Sequence, residues 1–298
     1  MNAPLLLKSM LGSALLASFA VSASRGQDSS PPVVGEVEAV ASPSPLSASH
    51  ADGTGAYNQP VWVQHRRFST TRVHIQRNPW EAAVEQWWRG RLKDGEWKHL
   101  FQEELEIGLP GRMQFDLYED WVVEDGKASH KDVAAEIRYG LADWGVIPLN
   151  PALYLEYKWV DPSHGADVIE PKLLLGDNFG DYQWGLNFVY ERELGGENTE
   201  EIQITQGISK AVSDSWSLGL EMKYVHETVE GSRGNPEHKV LLGPSVQWRP
   251  TENTHFDVVA LAGLTKDAPD IEGYVIFGID FGGASGGKKV HAPISGRR

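Results

Sequence analysis

The sequence predicts an all-β fold, and within that class a closed antiparallel up-and-down transmembrane β-barrel of about 12 strands. The first observation behind this prediction is a long series of runs between residues 99 and 281 in which apolar and polar side chains alternate. A period of two residues is that of a strand with one face in an apolar environment. The second observation is that turn residues, not helical stretches, separate these runs, so neighbouring runs are expected to pair as hairpins.

The first hairpin is the clearest. Residues 104–109 place an apolar side chain at every second position, residues 113–117 do the same, and Pro110-Gly111 between them is a turn signal. Further alternating runs begin at Val133, Leu153, Leu173, Trp184, Ile202, Leu218, Val240, His255 and Val275. With the two runs of the hairpin they make eleven candidate strands. Residues 81–92 suit either a helix or a strand and would add a twelfth. Bacterial single-chain barrels favour even numbers, which leaves ten and fourteen as alternatives.

The connections between the runs differ in length. Pro110-Gly111, residues 194–199 and Ser213-Asp214 are compact, whereas residues 119–131 and 228–237 are longer, charged and contain glycine. Short turns at one end and longer polar loops at the other end are typical of a bacterial barrel.

The chain divides into five predicted parts. Residues 1–23 are predicted to be a signal peptide, because residues 11–21 form a short apolar core and Val21-Ser22-Ala23 supplies small residues for cleavage. A membrane anchor is the alternative, but this core is well short of the ~20 residues that a spanning helix needs. The remaining parts are a flexible Pro/Ser-rich leader at 24–60, a lead-in with a possible first strand at 61–98, the β-barrel at 99–281 and a flexible glycine-rich basic tail at 282–298.

The lead-in admits three interpretations. Residues 61–77 contain four arginines and show no clear period. They are therefore expected to be an extended connection, a segment that fills the lumen or an early strand.

Composition excludes several classes of function. The formal net charge is −14, and a nucleic-acid partner is not expected because it would need a basic face. The absence of cysteine excludes disulfides, thiolate metal sites and cysteine nucleophiles. The histidines show no metal-ligand spacing, so no metal or other cofactor is predicted. His255 and Asp257 share a strand face, but such pairs are common by chance and the chain is not predicted to be an enzyme.

Alternation alone does not separate a membrane barrel from a soluble barrel, which turns its apolar face inward. Glycines on the polar face favour the membrane barrel, because they weaken a solvent-facing strand but make room for large side chains inside a curved barrel. They are Gly108, Gly140, Gly185, Gly207, Gly219, Gly243 and Gly278. The alternative is a soluble secreted β-sheet protein that binds a ligand.

Aromatic residues near the ends of the runs also indicate a membrane. Tyrosine and tryptophan favour the membrane–water interface, where the ring and its polar tip are both satisfied. The candidate interface aromatics are Tyr139, Tyr157, Trp159, Trp184, Tyr190, Tyr224 and Trp248, and Trp144, Trp216 and Tyr274 show the same tendency. Outer-membrane lipid is therefore an expected partner.

Charged residues on the polar face are the candidate lumen lining. They are Glu104, Glu106, Asp116, Glu136, Arg138, Glu156, Lys158, Glu170, Lys172, Glu191, Glu221, Lys223 and Arg249. Acid and base recur two residues apart, and so on one strand face, at Glu136/Arg138, Glu156/Lys158, Glu170/Lys172 and Glu221/Lys223. The functional interpretation is an ion-selective pore lining. The alternative, which the cancelling charges favour, is a lumen neutralised by its own salt bridges.

Residues 104–109 and 112–118 resemble the early hairpin of porin-like bacterial outer-membrane barrels. Among these barrels the sequence is most similar to the family named after the meta-pathway of phenol degradation, over roughly residues 81–281. The resemblance implies a passive channel, or a transport or structural protein, in the cell outer membrane, with a small solute as partner and no catalytic motif. The last strand, ending at Phe281, resembles the signal read by the outer-membrane assembly machinery, although a tail follows it.

Overall fold

The computed structural model describes residues 55–282. The predicted signal peptide, most of the predicted leader and nearly all of the predicted tail lie outside the described residues and stay predictions. Between residues 55 and 282, no helix combines the length and the apolar character needed to cross a membrane.

Alternating residues form twelve strands, as the period of two predicts. The strands are β1 Ala82–Lys93, β2 Glu96–Leu109, β3 Met113–Glu124, β4 Lys127–Gly140, β5 Ala152–Val160, β6 Val168–Phe179, β7 Tyr182–Glu193, β8 Glu200–Ala211, β9 Trp216–Thr228, β10 Glu237–Thr251, β11 Thr254–Gly263 and β12 Ile271–Phe281. A 3-10 turn, Ala56–Asn58, and a short helix α1, Val61–Gln64, precede them.

The sheet closes on itself. Each strand pairs antiparallel with its neighbours in sequence, and β12 returns to pair with β1 along a register from Ala82 opposite Phe281 to Leu92 opposite Ile271. The predicted closed antiparallel barrel of twelve strands is confirmed, and the ambiguous residues 81–92 supply its first strand. We call the end where β1 begins and β12 ends the base, and the opposite end the mouth.

One predicted connection is wrong. Residues 119–131 are not a loop, because β3 and β4 continue to a two-residue turn at Asp125-Gly126. Both turn residues have positive φ, 50° and 71°, as expected of a tight hairpin turn that matches the twist of its strands. The charged side chains of this stretch lie on strands near the mouth. The turns predicted at residues 110–111, 194–199 and 213–214 and the loop predicted at residues 228–237 lie between strands, and the connection at residues 194–199 is longer than the other two turns.

The outer face of the barrel is apolar. Leu153, Phe188 and Leu218 expose 50%, 45% and 49% of their surface, whereas the charged residues of the same strands, apart from Arg192 near the mouth, are buried or half-buried. A soluble barrel would place these faces the other way round. The alternative of a soluble secreted β-sheet protein therefore does not fit, and the exterior is that of a membrane barrel.

Residues 55–81, the lumen segment, precede β1 and run inside the barrel, except near β1, where Trp80 is 72% exposed. Phe68, Val73 and Ile75 of this segment are buried, at 2%, 4% and 0% exposure. Of the three interpretations of residues 61–77, the segment that fills the lumen is the one the structure adopts.

Candidate functional site

Arginine–carboxylate contacts hold the lumen segment in the base half of the barrel. Arg66 Nη2 lies 3.1 Å from Glu85 Oε2 and 3.1 Å from Glu104 Oε1, and it also contacts Glu106. Arg77 binds Glu106 and reaches Asp280 Oδ1 at 2.7 Å. Carboxylate oxygens of Glu85, Glu104 and Glu106 lie within 4.8 Å of one another, a spacing suited to a cation. The guanidinium of Arg66 already takes that place, so the residues do not fit a metal ion in this arrangement.

Side chains of the barrel wall also satisfy the backbone of the lumen segment. Glu221 accepts hydrogen bonds from the Ser69 and Thr70 amides, at 3.1 and 2.7 Å. Asn187 accepts from the Arg72 amide and donates to its carbonyl, each at 2.7 Å. A buried backbone needs such partners. Side chains of the wall therefore provide the hydrogen bonds that a neighbouring strand would otherwise make with this extended segment.

Glycines of the inner face make room for the lumen segment. A Cβ atom at Gly207 would overlap the ring of Phe68, and one at Gly185 would lie 2.7 Å from Val73 Cγ2. The space predicted beside the inward glycines is here filled by a separate segment of the chain.

The mouth half of the barrel is open. A cavity of about 360 Å³ has Ser69, Thr70 and Arg72 of the lumen segment at its floor. A second cavity of about 320 Å³ lies beside it, nearer the mouth, and the two share Arg91 and Glu201 among their lining residues. Together they form one vestibule, entered from the mouth and closed below by the lumen segment.

The structure divides the predicted lumen lining into two groups. Glu156, Lys158, Glu170, Lys172, Glu191 and Lys223 line the vestibule. Glu104, Glu106, Asp116, Glu136, Arg138, Glu221 and Arg249 are buried in the base half. The first group meets the open cavity, and the second is sealed away from it. A role of either group in conduction stays a prediction.

Three of the four predicted acid–base pairs are in contact. Arg138 Nη2 lies 2.6 Å from Glu136 Oε1, Lys158 Nζ lies 3.3 Å from Glu156 Oε1, and Lys172 binds Glu170. The fourth pair is separated: Glu221 binds the lumen segment, and Lys223 turns to Glu272 of β12 at 3.4 Å. Spacing along one strand could not reveal these partners, because they come from distant parts of the chain.

Several residues of the site were missed by sequence reasoning. Arg66, Arg72 and Arg77 were seen only as part of a basic stretch, although they contact the base carboxylates. Arg89 and Arg91 line the vestibule. Their spacing of two residues in the first strand was a usable signal that they share a face.

The predicted interface aromatics lie on the outer face. Tyr139, Trp159, Tyr190 and Trp248 expose 40%, 52%, 36% and 39% of their surface, and Tyr157, Trp184 and Tyr224 are half-buried. Their contact with lipid stays a prediction.

Two further aromatic residues that lie near the ends of runs, Trp144 and Tyr274, are not on the outer face. Trp144 packs edge-on against Trp62 and His74 of the lumen segment, with ring centroids 5.7 Å apart in each pair. Tyr274 points inward at 6% exposure and donates to Glu272. For both residues, a position near the end of an alternating run did not indicate a side chain on the outer face.

His255 and Asp257 do not form an accessible catalytic pair. His255 is 1% exposed and lies between Asp257 and Glu85, whose Oε1 is 3.3 Å from its Nε2. The Gly278 position is in direct contact with its ring. Both ring nitrogens therefore face carboxylates, and a substrate has no access to either.

Comparison with known proteins gives one family and several structures. Residues 165–277 match the model of a family described as putative MetA-pathway of phenol degradation. The COG4313 outer membrane channel from Pseudomonas putida F1 is similar in structure, with 9% identity, 70% of this chain and 98% of that chain covered, and a TM-score of 0.50. The NanC porin shows 9% identity, 67% and 99% coverage and a TM-score of 0.49. No curated protein sequence matches the chain.

The family match confirms the resemblance predicted from the sequence, over the part of the barrel from β6 to β12. The similarity to the COG4313 channel supports the barrel fold. With its apolar exterior and closed sheet, the chain is a porin-like β-barrel of the outer membrane.

Proposed function

We propose that the protein is a gated channel for small polar solutes, which enter the vestibule from the mouth and pass when the lumen segment moves aside. The observation that carries this proposal is the polar character of the contact between segment and wall. Arg66 and Arg77 bind wall carboxylates, and wall side chains bind the segment's backbone. Polar contacts of this kind can be exchanged for water, whereas a packed apolar core cannot be opened without a large cost.

The mouth is the inferred outer side. Its connections at residues 161–167, 194–199, 229–236 and 264–270 are longer than the base turns at residues 110–112, 180–181 and 252–253. Longer loops face the outside in bacterial barrels. The exceptions are the two-residue mouth turns at residues 94–95 and 125–126 and the base loop at residues 141–151, which packs on the lumen segment through Trp144.

A reversible disulfide tests the gate. Thr71 Oγ1 of the lumen segment lies 3.2 Å from Thr205 Oγ1 of β8, and the chain has no native cysteine. Thr71→Cys with Thr205→Cys would therefore tether segment to wall. In planar bilayers, we expect no opening of the oxidised double variant and openings like those of the unmodified protein after reduction. Thr205→Cys alone is the control and should be indifferent to oxidant.

The same conductance measurements distinguish a gated channel from a structural protein. Equal conductance of the oxidised and reduced double variant would exclude the lumen segment as the gate. As a second variant, Arg66→Gln with Arg77→Gln should raise the open fraction because it removes the arginine contacts. If this loosened variant and the unmodified protein both fail to conduct, the barrel has a structural role and the channel proposal is wrong.

A further inference from the structure

One wall of the vestibule carries an excess of positive charge. Arg89 and Arg91 lie two residues apart on the inner face of β1, and Lys223 extends to this wall from β9. Glu272 of β12 contacts Arg91 and also Lys223 Nζ, the latter at 3.4 Å. Within residues 55–282, no carboxylate lies within the ion-pair distance of 4.0 Å from the guanidinium of Arg89. Three cations here share one carboxylate.

Another wall carries an excess of negative charge. Lys158 Nζ lies 3.3 Å from Glu156 of β5, 3.1 Å from Glu170 of β6 and 2.9 Å from Glu191 of β7. Lys172 also binds Glu170. Glu201 of β8 lines the same cavity and accepts a hydrogen bond from Gln203 at 2.7 Å. Three carboxylates here share two lysines, and Glu201 on the neighbouring strand adds a fourth acid.

The two walls face one another across the barrel. Counting around the closed sheet of twelve strands, β1 and β12 lie six strands from β7 and β6. The remaining charged residues of the first cavity are Asp120, Asp132, Lys131 and Arg72, whose formal charges cancel. The first cavity is thus nearly neutral as a whole but polarised from side to side. A cleft with low-dielectric walls concentrates such a field.

We propose that the vestibule binds small zwitterions, with the anionic group of the solute at Arg89 and its ammonium group at Glu191. This inference rests on the proposed entry of solutes into the vestibule and adds the class of solute. Arg89 lacks a close carboxylate partner, and Glu191 is the most exposed of the three acids around Lys158, at 24% against 9% for Glu156. A free anion or cation would meet only one favourable wall, whereas a zwitterion meets both.

The dimensions suit a small solute. The first cavity, of about 360 Å³, falls at the lower end of the range of about 300–1,000 Å³ that is usual for ligand sites. Gln102 and Gln203 also line it, and their side chains can bind the middle of a polar molecule.

Equilibrium dialysis of the full protein in detergent tests the inference with three probes of one length: 4-aminobutyrate, butyrate and butylammonium. At low salt we expect 4-aminobutyrate to bind at least about tenfold more tightly than either singly charged probe, because a hydrogen bond to a charged group is worth a factor of about ten or more. Arg89→Gln should lower the affinity for 4-aminobutyrate to that for butylammonium. Glu191→Gln should lower it to that for butyrate.

A matched control is Arg192→Gln, which removes an exposed charge next to Glu191 on the outer face of β7 and should leave all three affinities unchanged. Butyrate binding as tightly as 4-aminobutyrate would mark an anion site, and equally tight butylammonium would mark a cation site. Either result overturns the inference, as does equal binding or no binding of the three probes. Dialysis needs no passage through the barrel, so a protein that binds the zwitterion without conducting would contradict only the channel proposal.

Discussion

Arg66 of the lumen segment and Glu104 of β2 form an ion pair of 3.1 Å in which neither side chain is more than 1% exposed. The two residues are 38 positions apart, so the pair joins two separate parts of the fold. Desolvation offsets much of the attraction in a buried pair, but loss of one partner leaves a buried charge uncompensated. The contact therefore specifies where the segment sits more than it adds to net stability.

Arg66→Met tests this directly. It leaves Glu85, Glu104 and Glu106 close together without their shared cation, and breaking a buried pair in this way costs about 3–5 kcal/mol. We expect hydrogen exchange of the amides in residues 66–76 to accelerate strongly. Arg233→Met, which breaks an exposed pair with Glu200, should have no effect on that exchange. Unchanged exchange in the Arg66 variant would contradict the role given to this pair.

Glu221→Gln should loosen the middle of the lumen segment. The two carboxylate oxygens accept the Ser69 and Thr70 amides and the Thr70 hydroxyl. Glutamine offers one oxygen and presents an amino group to the remaining donors. The loss of a charged hydrogen bond is worth about 1.5–3 kcal/mol. Exchange at Ser69 and Thr70 should therefore accelerate more than exchange at Gln76, which is held by Gln114 instead. Uniform acceleration at all three would argue against a local effect.

Gly207→Ala should disturb the lumen segment because the new Cβ would overlap the ring of Phe68. Overpacking of this kind costs typically about 1–3 kcal/mol. Denaturant unfolding in detergent should show a lower free energy of unfolding for Gly207→Ala. Adding Phe68→Ala to the same chain should restore part of that free energy. Gly273→Ala is the matched control, because its Cβ would meet Trp88 at 3.5 Å, an ordinary contact. Equal losses of stability in the two glycine variants would contradict the proposed close packing of Phe68 against Gly207.

The sequence predicts the barrel well because lipid outside and charge inside impose a period of two on nearly every strand. It predicts the lumen segment poorly, since residues 61–77 owe their conformation to wall side chains such as Glu221 and Asn187 and not to a period of their own. The charged residues at 119–131 led to the prediction of a loop, although Asp125-Gly126 indicates a tight hairpin turn between two strands. The contact of Lys223 with Glu272 follows only from the curvature of the barrel, which brings together inward side chains of β9 and β12 from three strands apart.

Leu220→Arg tests the membrane-facing exterior. Leu220 lies on the outer face near the middle of β9 and is 45% exposed, and arginine on the lipid face costs about 2–4 kcal/mol at the bilayer midplane. We expect a lower yield of folded barrel in lipid vesicles, measured as the heat-modifiable fraction on a gel. Asn235→Arg, in the exposed mouth loop after β9, should fold with the yield of the unmodified protein. A soluble barrel would accept arginine at Leu220 without penalty and would stay folded in water without detergent, and that result would overturn the assignment of this face to lipid.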